Sequence, residues 1–124
     1  MNIYGIGTDI VEIERLASKL TKEAFVSLVF TEEEMSYCRS RKHSEESFAA
    51  RFAAKEAFMK AMGTGWSEKC DFKEIEVKNG PSGQPVVILH GHTKSHFENS
   101  CLKEIFVSLS HTTATAVAFV IITK

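Results

Sequence analysis

The stretch from Ser47 to Met62 reads SFAARFAAKEAFMKAM and carries the strongest helical pattern in the chain. Its apolar residues recur at spacings of three and four, as they do on one face of an α-helix. Ser44 or Ser47 is a candidate N-cap, and the sequence GTG at 63–65 stops the pattern. We therefore predict a long helix that ends at Met62 and against which the other elements pack.

The charges of this helix do not lie where a solvent-exposed face would place them. At about 100° per residue, with Phe48 taken as zero, Glu56 lies near 80° and Lys60 near 120°, on the flank of the apolar stripe. Lys55 lies within the stripe. A Glu–Lys pair beside small residues indicates a crevice. A surface ion pair and a lysine with a buried stem remain the alternative for this segment alone.

The residues before the long helix predict one strand and two shorter helices. Ile3–Ile6 is a short apolar segment that is followed by Gly7, as expected of a first strand. A helical pattern opens at Asp9 and continues to about Leu20. Thr31 and Glu34 have the spacing of a capping box, which predicts a second helix over about 32–41.

The second half of the chain changes to the two-residue period of strands. Four segments carry this period: 72–78, 85–90, 104–110 and 114–123. The sequence NGPSG at 79–83 is a turn by composition, and 93–102 predicts a short helix. The order β-α-α-α-β-β-α-β-β predicts one α+β domain over 1–124, with a mainly antiparallel sheet packed against helices.

The composition indicates a small folded protein with almost no net charge. The chain has 124 residues, 44% of them hydrophobic, with 15 Lys+Arg and 16 Asp+Glu. One domain fits this length, and we expect no nucleic-acid partner because the chain has no excess of positive charge. No secretory signal is recognisable, and the longest apolar run, 116–122, is too short to span a membrane.

The number and spacing of the three cysteines indicate the cellular compartment of the protein. Cys38, Cys70 and Cys101 are odd in number and far apart, which fits neither a disulfide framework nor a metal knuckle. We therefore expect reduced thiols and a cytoplasmic protein with no membrane partner.

Asp9 and Glu56 are the candidate metal ligands. Asp9 alone is explained by helix capping. Two carboxylates on elements that pack together, however, form an oxygen site suited to Mg²⁺, which water and substrate phosphates complete. Lys60, Lys55 and Arg51 are then placed to meet phosphate charge that the metal leaves uncompensated.

Histidines supply two further candidate sites. Ser110, His111 and Thr112 offer donors suited to a phosphate or a ribose, and ordinary turn chemistry is the alternative. Neighbouring side chains on a strand point to opposite faces, so a hydrolytic Ser–His dyad is not expected. A zinc site is the competing interpretation of the other histidines: His90, His92 and His96.

Three ordered blocks resemble the holo-acyl-carrier-protein synthases, a family of 4'-phosphopantetheinyl transferases. The first is GIGTDIVE at 5–12. The second is ARFAAKEAFMKA at 50–61, which GTG follows at 63–65. The third is VSLSHT at 107–112. The blocks span most of the chain, and we expect the fold of this family.

The resemblance implies a reaction. Family members transfer the phosphopantetheine arm of coenzyme A to a serine of apo acyl carrier protein in fatty acid biosynthesis, and they release adenosine 3',5'-bisphosphate. It implies Mg²⁺ on Asp9 and Glu56, with Lys60 as a third catalytic residue. The serine proton passes to a water on the metal or to Glu56, and both remain open. The implied coenzyme-binding residues are Arg51, Lys55, Lys60, Gly63, Gly65, Ser110, His111 and Thr112.

The resemblance also implies partners. Acyl carrier proteins are acidic, and three basic residues are expected to dock the carrier: Arg15, Lys19 and Lys22. The family's short members are homotrimers with active sites between subunits, so Asp9 and His111 are expected to serve one site from different chains. A trimeric domain that binds a coenzyme without catalysis is the alternative, and the presence of both Asp9 and Glu56 favours the enzyme.

Overall fold

A computed structural model describes residues 2–124; Met1, which the predicted domain includes, lies outside the described residues. The elements in chain order are β1 (Ile3–Glu12), α1 (Ile13–Lys19), α2 (Glu23–Val29), α3 (Glu32–Arg39), α4 (Ser44–Met62), a 3-10 turn (Phe72–Glu74), β2 (Ile75–Asn79), β3 (Pro85–Leu89), α5 (Gly91–Asn99), β4 (Ile105–His111) and β5 (Thr115–Thr123). The predicted α+β order is confirmed, and α2 is a further short helix that the sequence patterns do not predict.

The strands form two antiparallel sheets. β1, β5 and β4 make a three-stranded sheet with β5 in the centre, and β2 pairs with β3 in a separate hairpin. Ala118 of β5 lies opposite both Asp9 and Leu109, so these residues share the face of the sheet that packs on α4. Buried apolar residues of β5 and α4 fill the space between the sheet and the helix.

Two glycines allow β1 to lie directly against α4. A Cβ added at Gly5 would overlap the carbonyl oxygen of Ala61, and one added at Gly7 would overlap that of Ala57. Alanines four residues apart on the helix thus match glycines two residues apart on the strand. The contact is made by backbone atoms, so larger side chains are excluded at both glycines.

The first strand is longer than the sequence predicts. The apolar pattern ends the strand at Ile6 and starts a helix at Asp9, whereas β1 continues to Glu12. Its ladder with β5 extends to the pair formed by Glu12 and Thr115. The local spacing fits a strand as well as a helix, and pairing with β5 decides between them. Asp9 therefore lies within a strand and caps no helix.

The helix signals are confirmed with one exception. Thr31 and Glu34 form both hydrogen bonds of the capping box at the start of α3. The long helix α4 ends at Met62, and Gly63 follows in the left-handed conformation with a φ of 77°. Neither predicted serine caps α4, because the N-cap is His43 and no side chain makes a capping hydrogen bond.

The strands of the second half agree with the sequence to within a few residues. The exception is the segment 72–78, whose first three residues form the 3-10 turn before β2 begins at Ile75. The turn between β2 and β3, the helix α5 and the strand pair β4–β5 occur where the patterns place them. Within residues 2–124, no helix has the length and apolarity needed to cross a membrane.

The outer face of the three-stranded sheet, opposite α4, exposes large apolar side chains. Ile6 and Ile10 of β1 are 60% and 68% exposed. Phe119 of β5 and Phe106 of β4 are also exposed, and the strand registers place them on this same face. An exposed apolar patch of this kind is typical of an interaction surface.

We predict that Gly7→Ala lowers the free energy of unfolding by about 3 kcal/mol, because the backbone of Ala57 cannot move away from the new Cβ. Gly63→Ala is the matched control, since its surroundings are open and only its φ of 77° opposes a side chain. Gly63→Ala should lower the free energy of unfolding by about 1 kcal/mol. Urea denaturation at one protein concentration measures both variants. Equal costs would contradict a backbone contact between β1 and α4.

Candidate active site

A groove beside β1 and α4 brings together the two predicted metal ligands. Asp9 enters it from the inner face of β1, and Glu56 enters it from α4. Its volume is about 360 Å³, and its walls include Arg15, Lys19 and Phe52. We call this cleft, lined by Asp9, Glu56, Arg15, Lys19 and Phe52, the carboxylate groove.

Asp9, Glu56 and the neighbouring Lys60 interact electrostatically at the carboxylate groove. Lys60 Nζ lies 3.0 Å from Asp9 Oδ1 and also donates to the carbonyl oxygen of Thr8. Glu56 is half-buried, and burial raises the pKa of its carboxyl; the negative charge of Asp9 acts in the same direction. Lys60 and Lys19 oppose the rise in the pKa of Glu56. The two carboxylates therefore interact with each other.

The donor set of the carboxylate groove fits a magnesium ion. Carboxylate oxygens are the protein ligands that Mg²⁺ prefers, and it usually keeps several water molecules and substrate phosphates as its other ligands. Asp9 and Glu56 supply such oxygens in a cleft that is open to solvent. Burial and the charge of Asp9 raise the pKa of Glu56, and a divalent cation held by these two residues would offset both effects.

The alternative zinc site is not formed. His90 Nε2 lies 2.9 Å from Glu76, and His92 Nδ1 lies 3.1 Å from Glu74. Each histidine thus has a separate carboxylate partner. No group of three or more potential metal ligands occurs among residues 2–124, so the structure does not bring His96 to a common site with these two histidines.

A second cleft lies on the other side of α4. Its volume is about 450 Å³, and its walls include the basic or aromatic residues Tyr37, Arg41, Lys42, His43, Arg51 and His111 together with the carboxylate Glu46. We call this cleft the basic cavity. Sequence reasoning identified Arg51 and His111 but missed Arg41, Lys42 and His43. The basic run RKH at 41–43, directly before the long helix, was the signal that could have found them.

Arg51 and His111 are each held by a neighbouring side chain. Arg51 is 5% exposed, and its Nη2 donates to Asn79 Oδ1 over 2.8 Å. Its Nε is buried and has no hydrogen-bond partner among the described residues. His111 Nδ1 lies 3.2 Å from Glu46 Oε1 on the first turn of α4.

The prediction that Lys55 binds the coenzyme is wrong for this structure. Lys55 is fully buried, and its Nζ lies 2.8 Å from Glu34 Oε1. It also donates to the carbonyl oxygens of Phe72 and Ile75. Burial lowers the pKa of Lys55, while Glu34 opposes that change. All three donors of the ammonium group are engaged, so none is available to a phosphate.

Four other predicted coenzyme residues line neither cleft. Gly63 and Gly65 follow the end of α4, and Gly63 borders a separate shallow depression. Ser110 lies on the outer face of the sheet, opposite Val117. Thr112 Oγ1 accepts hydrogen bonds from two backbone N–H groups of the β4–β5 turn. Their contacts with a coenzyme stay a prediction.

Two of the three predicted docking residues lie at the carboxylate groove. Arg15 and Lys19 line it from α1. Lys19 Nζ also lies 5.9 Å from the ring centroid of Phe25. Lys22 is the residue at the N-cap of α2 and is exposed, but it does not line the groove.

Fold and site together place the chain in a class of transferases: it belongs to the 4'-phosphopantetheinyl transferase superfamily, whose sequence model matches residues 5–119. Within that class, it is 42% identical over 124 residues to the holo-[acyl-carrier-protein] synthase of Geobacter sp. (strain M21), covering 98% of this chain and 99% of the relative.

Solved structures give the same family. The holo-[acyl-carrier-protein] synthase of Neisseria meningitidis has a TM-score of 0.91 and 34% identity, covering 98% of this chain and 99% of that one. A holo-(acyl-carrier-protein) synthase of Bacillus anthracis, solved in complex with CoA (3',5'-ADP), has a TM-score of 0.82 and 35% identity. That match covers 98% of this chain and 97% of the other.

We predict that Asp9→Asn lowers the pKa of Glu56, because the substitution removes a like charge, and that Lys60→Met raises it. Carbon-13 NMR of the Glu side-chain carboxyl groups, recorded during a pH titration without divalent metal, measures both shifts. Lys78→Met is the matched control, since Lys78 pairs with Glu33 elsewhere and should leave Glu56 unchanged. An unchanged pKa in Asp9→Asn would show that the two carboxylates do not interact.

Proposed function

We propose that this chain transfers the 4'-phosphopantetheine group of coenzyme A to a serine of apo acyl carrier protein for fatty acid biosynthesis and releases adenosine 3',5'-bisphosphate. The observation that carries the proposal is the meeting of Asp9 and Glu56 in one groove, with Lys60 Nζ 3.0 Å from Asp9 Oδ1. Similarity to holo-[acyl-carrier-protein] synthases over nearly the whole chain supports it. A domain that only binds a coenzyme has no need of both carboxylates.

Asp9 and Glu56 are the residues that would hold Mg²⁺. When bound, this ion neutralises negative charge on the pyrophosphate of the coenzyme and on the leaving group. Lys60 is exposed beyond its contact with Asp9, so its ammonium group can contact the same phosphates. Hydrogen bonds to Asp9 and to the carbonyl oxygen of Thr8 hold the Lys60 side chain in place. Less conformational entropy is therefore lost when substrate binds.

The serine hydroxyl must lose a proton when it attacks phosphorus. Glu56 is one candidate acceptor, because its raised pKa makes its carboxylate a stronger base than an exposed glutamate. A water molecule in the open groove is the other candidate. In both cases Glu56 has to be ionised before the reaction, so activity should fall at acidic pH.

The basic cavity serves the remaining phosphate of coenzyme A. Arg51 and His111 are the contacts we propose from the family resemblance, and the structure adds Arg41 and Lys42 to the same wall. Four further residues complete the proposed coenzyme contacts: Gly63, Gly65, Ser110 and Thr112. The acidic carrier protein docks on Arg15, Lys19 and Lys22 beside the carboxylate groove, where opposite charges attract it.

We also propose a homotrimer with active sites between subunits. Within one protomer α4 separates the carboxylate groove from the basic cavity, so a coenzyme that uses both needs a second copy. The exposed apolar face of the sheet, which includes Ile10 and Phe119, is the contact surface available for assembly. We place the enzyme in the cytoplasm, where its three free cysteines stay reduced.

We predict that the protein, incubated with coenzyme A, Mg²⁺ and an apo acyl carrier protein, adds the phosphopantetheine mass to the carrier, as measured by mass spectrometry. Glu56→Gln should abolish turnover and keep the fold, because it removes one anionic oxygen ligand with little change of shape. Glu14→Gln, an exposed carboxylate on α1, is the control and should stay active. An unmodified carrier with folded wild-type protein would refute the transferase.

We predict that inactive variants complement each other if subunits share sites. Glu56→Gln impairs the groove and His111→Ala impairs the cavity, so each homotrimer alone should lose most activity. Refolding a 1:1 mixture should restore about a quarter of wild-type activity, since that fraction of subunit contacts joins an intact groove to an intact cavity. Recovery that is absent at every mixing ratio would place both half-sites within one protomer.

A further inference from the structure

The ring of Tyr37 on α3 contacts two guanidinium groups of the basic cavity. The Cζ atom of Arg51 lies 4.3 Å from the ring centroid, and that of Arg41 lies 5.4 Å from it. Both distances are within the range of cation–π interactions. Tyr37, Arg41 and Arg51 all line the same cavity, so the ring is part of the wall that presents these cations.

The helix geometry fixes Tyr37 opposite Arg51. Glu34 and Tyr37 are three residues apart on α3, and Arg51 and Lys55 are four residues apart on α4, so each pair shares one face of its helix. The ion pair between Glu34 and Lys55 is buried and well bonded. The contact between Tyr37 and Arg51 is therefore a second contact between α3 and α4, about one helical turn from the ion pair.

The one carboxylate among the described lining residues of this cavity, Glu46, pairs with His111 and not with the arginines or Lys42. Within residues 2–124, no carboxylate lies within ion-pair distance of Arg41, Lys42 or Arg51. Arg51 makes one side-chain hydrogen bond, to Asn79, and its buried Nε has no partner. Like charges gathered around one ring repel each other, and unsatisfied buried donors are costly. A bound dianion would offset the repulsion between these cations.

We propose that Tyr37 is a positioning residue that holds Arg51 and Arg41 for the ribose 3'-phosphate of coenzyme A, and that it thereby lets the enzyme select coenzyme A over 3'-dephospho-coenzyme A. The inference rests on the proposed function. The pyrophosphate belongs with Asp9 and Glu56, which leaves the 3'-phosphate, a monoester with nearly two negative charges at neutral pH, for the basic cavity. A guanidinium already held over a ring loses less freedom when it binds phosphate.

The test varies the ring electrons while the ring shape is kept. Phenylalanine with zero, one, two or three ring fluorines replaces Tyr37, since fluorine withdraws electrons from the face that binds cations. The KM for coenzyme A should rise stepwise, by about three- to tenfold over the series, which is the range of one cation–π contact. The kcat and the KM for 3'-dephospho-coenzyme A should stay within twofold. Tyr37→Phe without fluorine should match the wild type.

Two outcomes would overturn the proposal. One is a KM that rises equally for both coenzymes, which is what a merely structural role of Tyr37 produces. The other is a KM for coenzyme A that does not change along the series. Calorimetric binding of adenosine 3',5'-bisphosphate and of adenosine 5'-monophosphate provides a second readout that needs no turnover. Fluorination should weaken the binding of adenosine 3',5'-bisphosphate and leave the binding of adenosine 5'-monophosphate unchanged. This measurement therefore tests the role of Tyr37 even if the protein shows no transferase activity.

Discussion

The backbone contact between β1 and α4 is the constraint on which the rest of the structure depends. Gly5 and Gly7 place the strand against the carbonyl oxygens of Ala61 and Ala57, closer than any side chain would permit. Residues two apart on a strand share a face, so the next residue on that face is Asp9. The tight packing thus also determines the chemistry, because it brings the carboxylate of Asp9 to the flank of α4 that carries Glu56 and Lys60.

The ion pair between Glu34 and Lys55 positions the elements that form the basic cavity. Glu34 binds Lys55 and also accepts a hydrogen bond from the backbone N–H of Val77, which joins α3, α4 and β2. Charges are costly to bury, and the complete set of hydrogen bonds around Lys55 is what makes this pair tolerable. With α3 held in this way, the Tyr37 ring faces the guanidinium of Arg51.

The sequence predicts the elements whose signals are local and fails where distant partners decide. The capping box at Thr31 and the long helix up to Met62 depend on neighbouring residues, and both are confirmed. The end of β1 depends on β5, more than 100 residues away in the chain, so the local pattern misassigned Asp9 to a helix. Lys55 was read as a phosphate ligand because nothing near it in sequence reveals Glu34, which neutralises it. The pairing of Asp9 with Glu56 was found because a strand and a helix that pack together bring their polar residues to one edge.

The near-zero net charge of the chain and its small size both favour charged clefts at the surface over one enclosed site. Opposite charges cancel in the whole chain but are distributed unevenly, with Asp9 and Glu56 on one side of α4 and Arg41, Lys42 and Arg51 on the other. A domain of 124 residues has too little volume to enclose a large, highly charged coenzyme within its own core. The proposed division of the site between copies would avoid this limit, because the groove of one protomer and the cavity of its neighbour need only be built at the surface. In the proposed homotrimer, the exposed apolar sheet face around Ile10 and Phe119 would supply association energy.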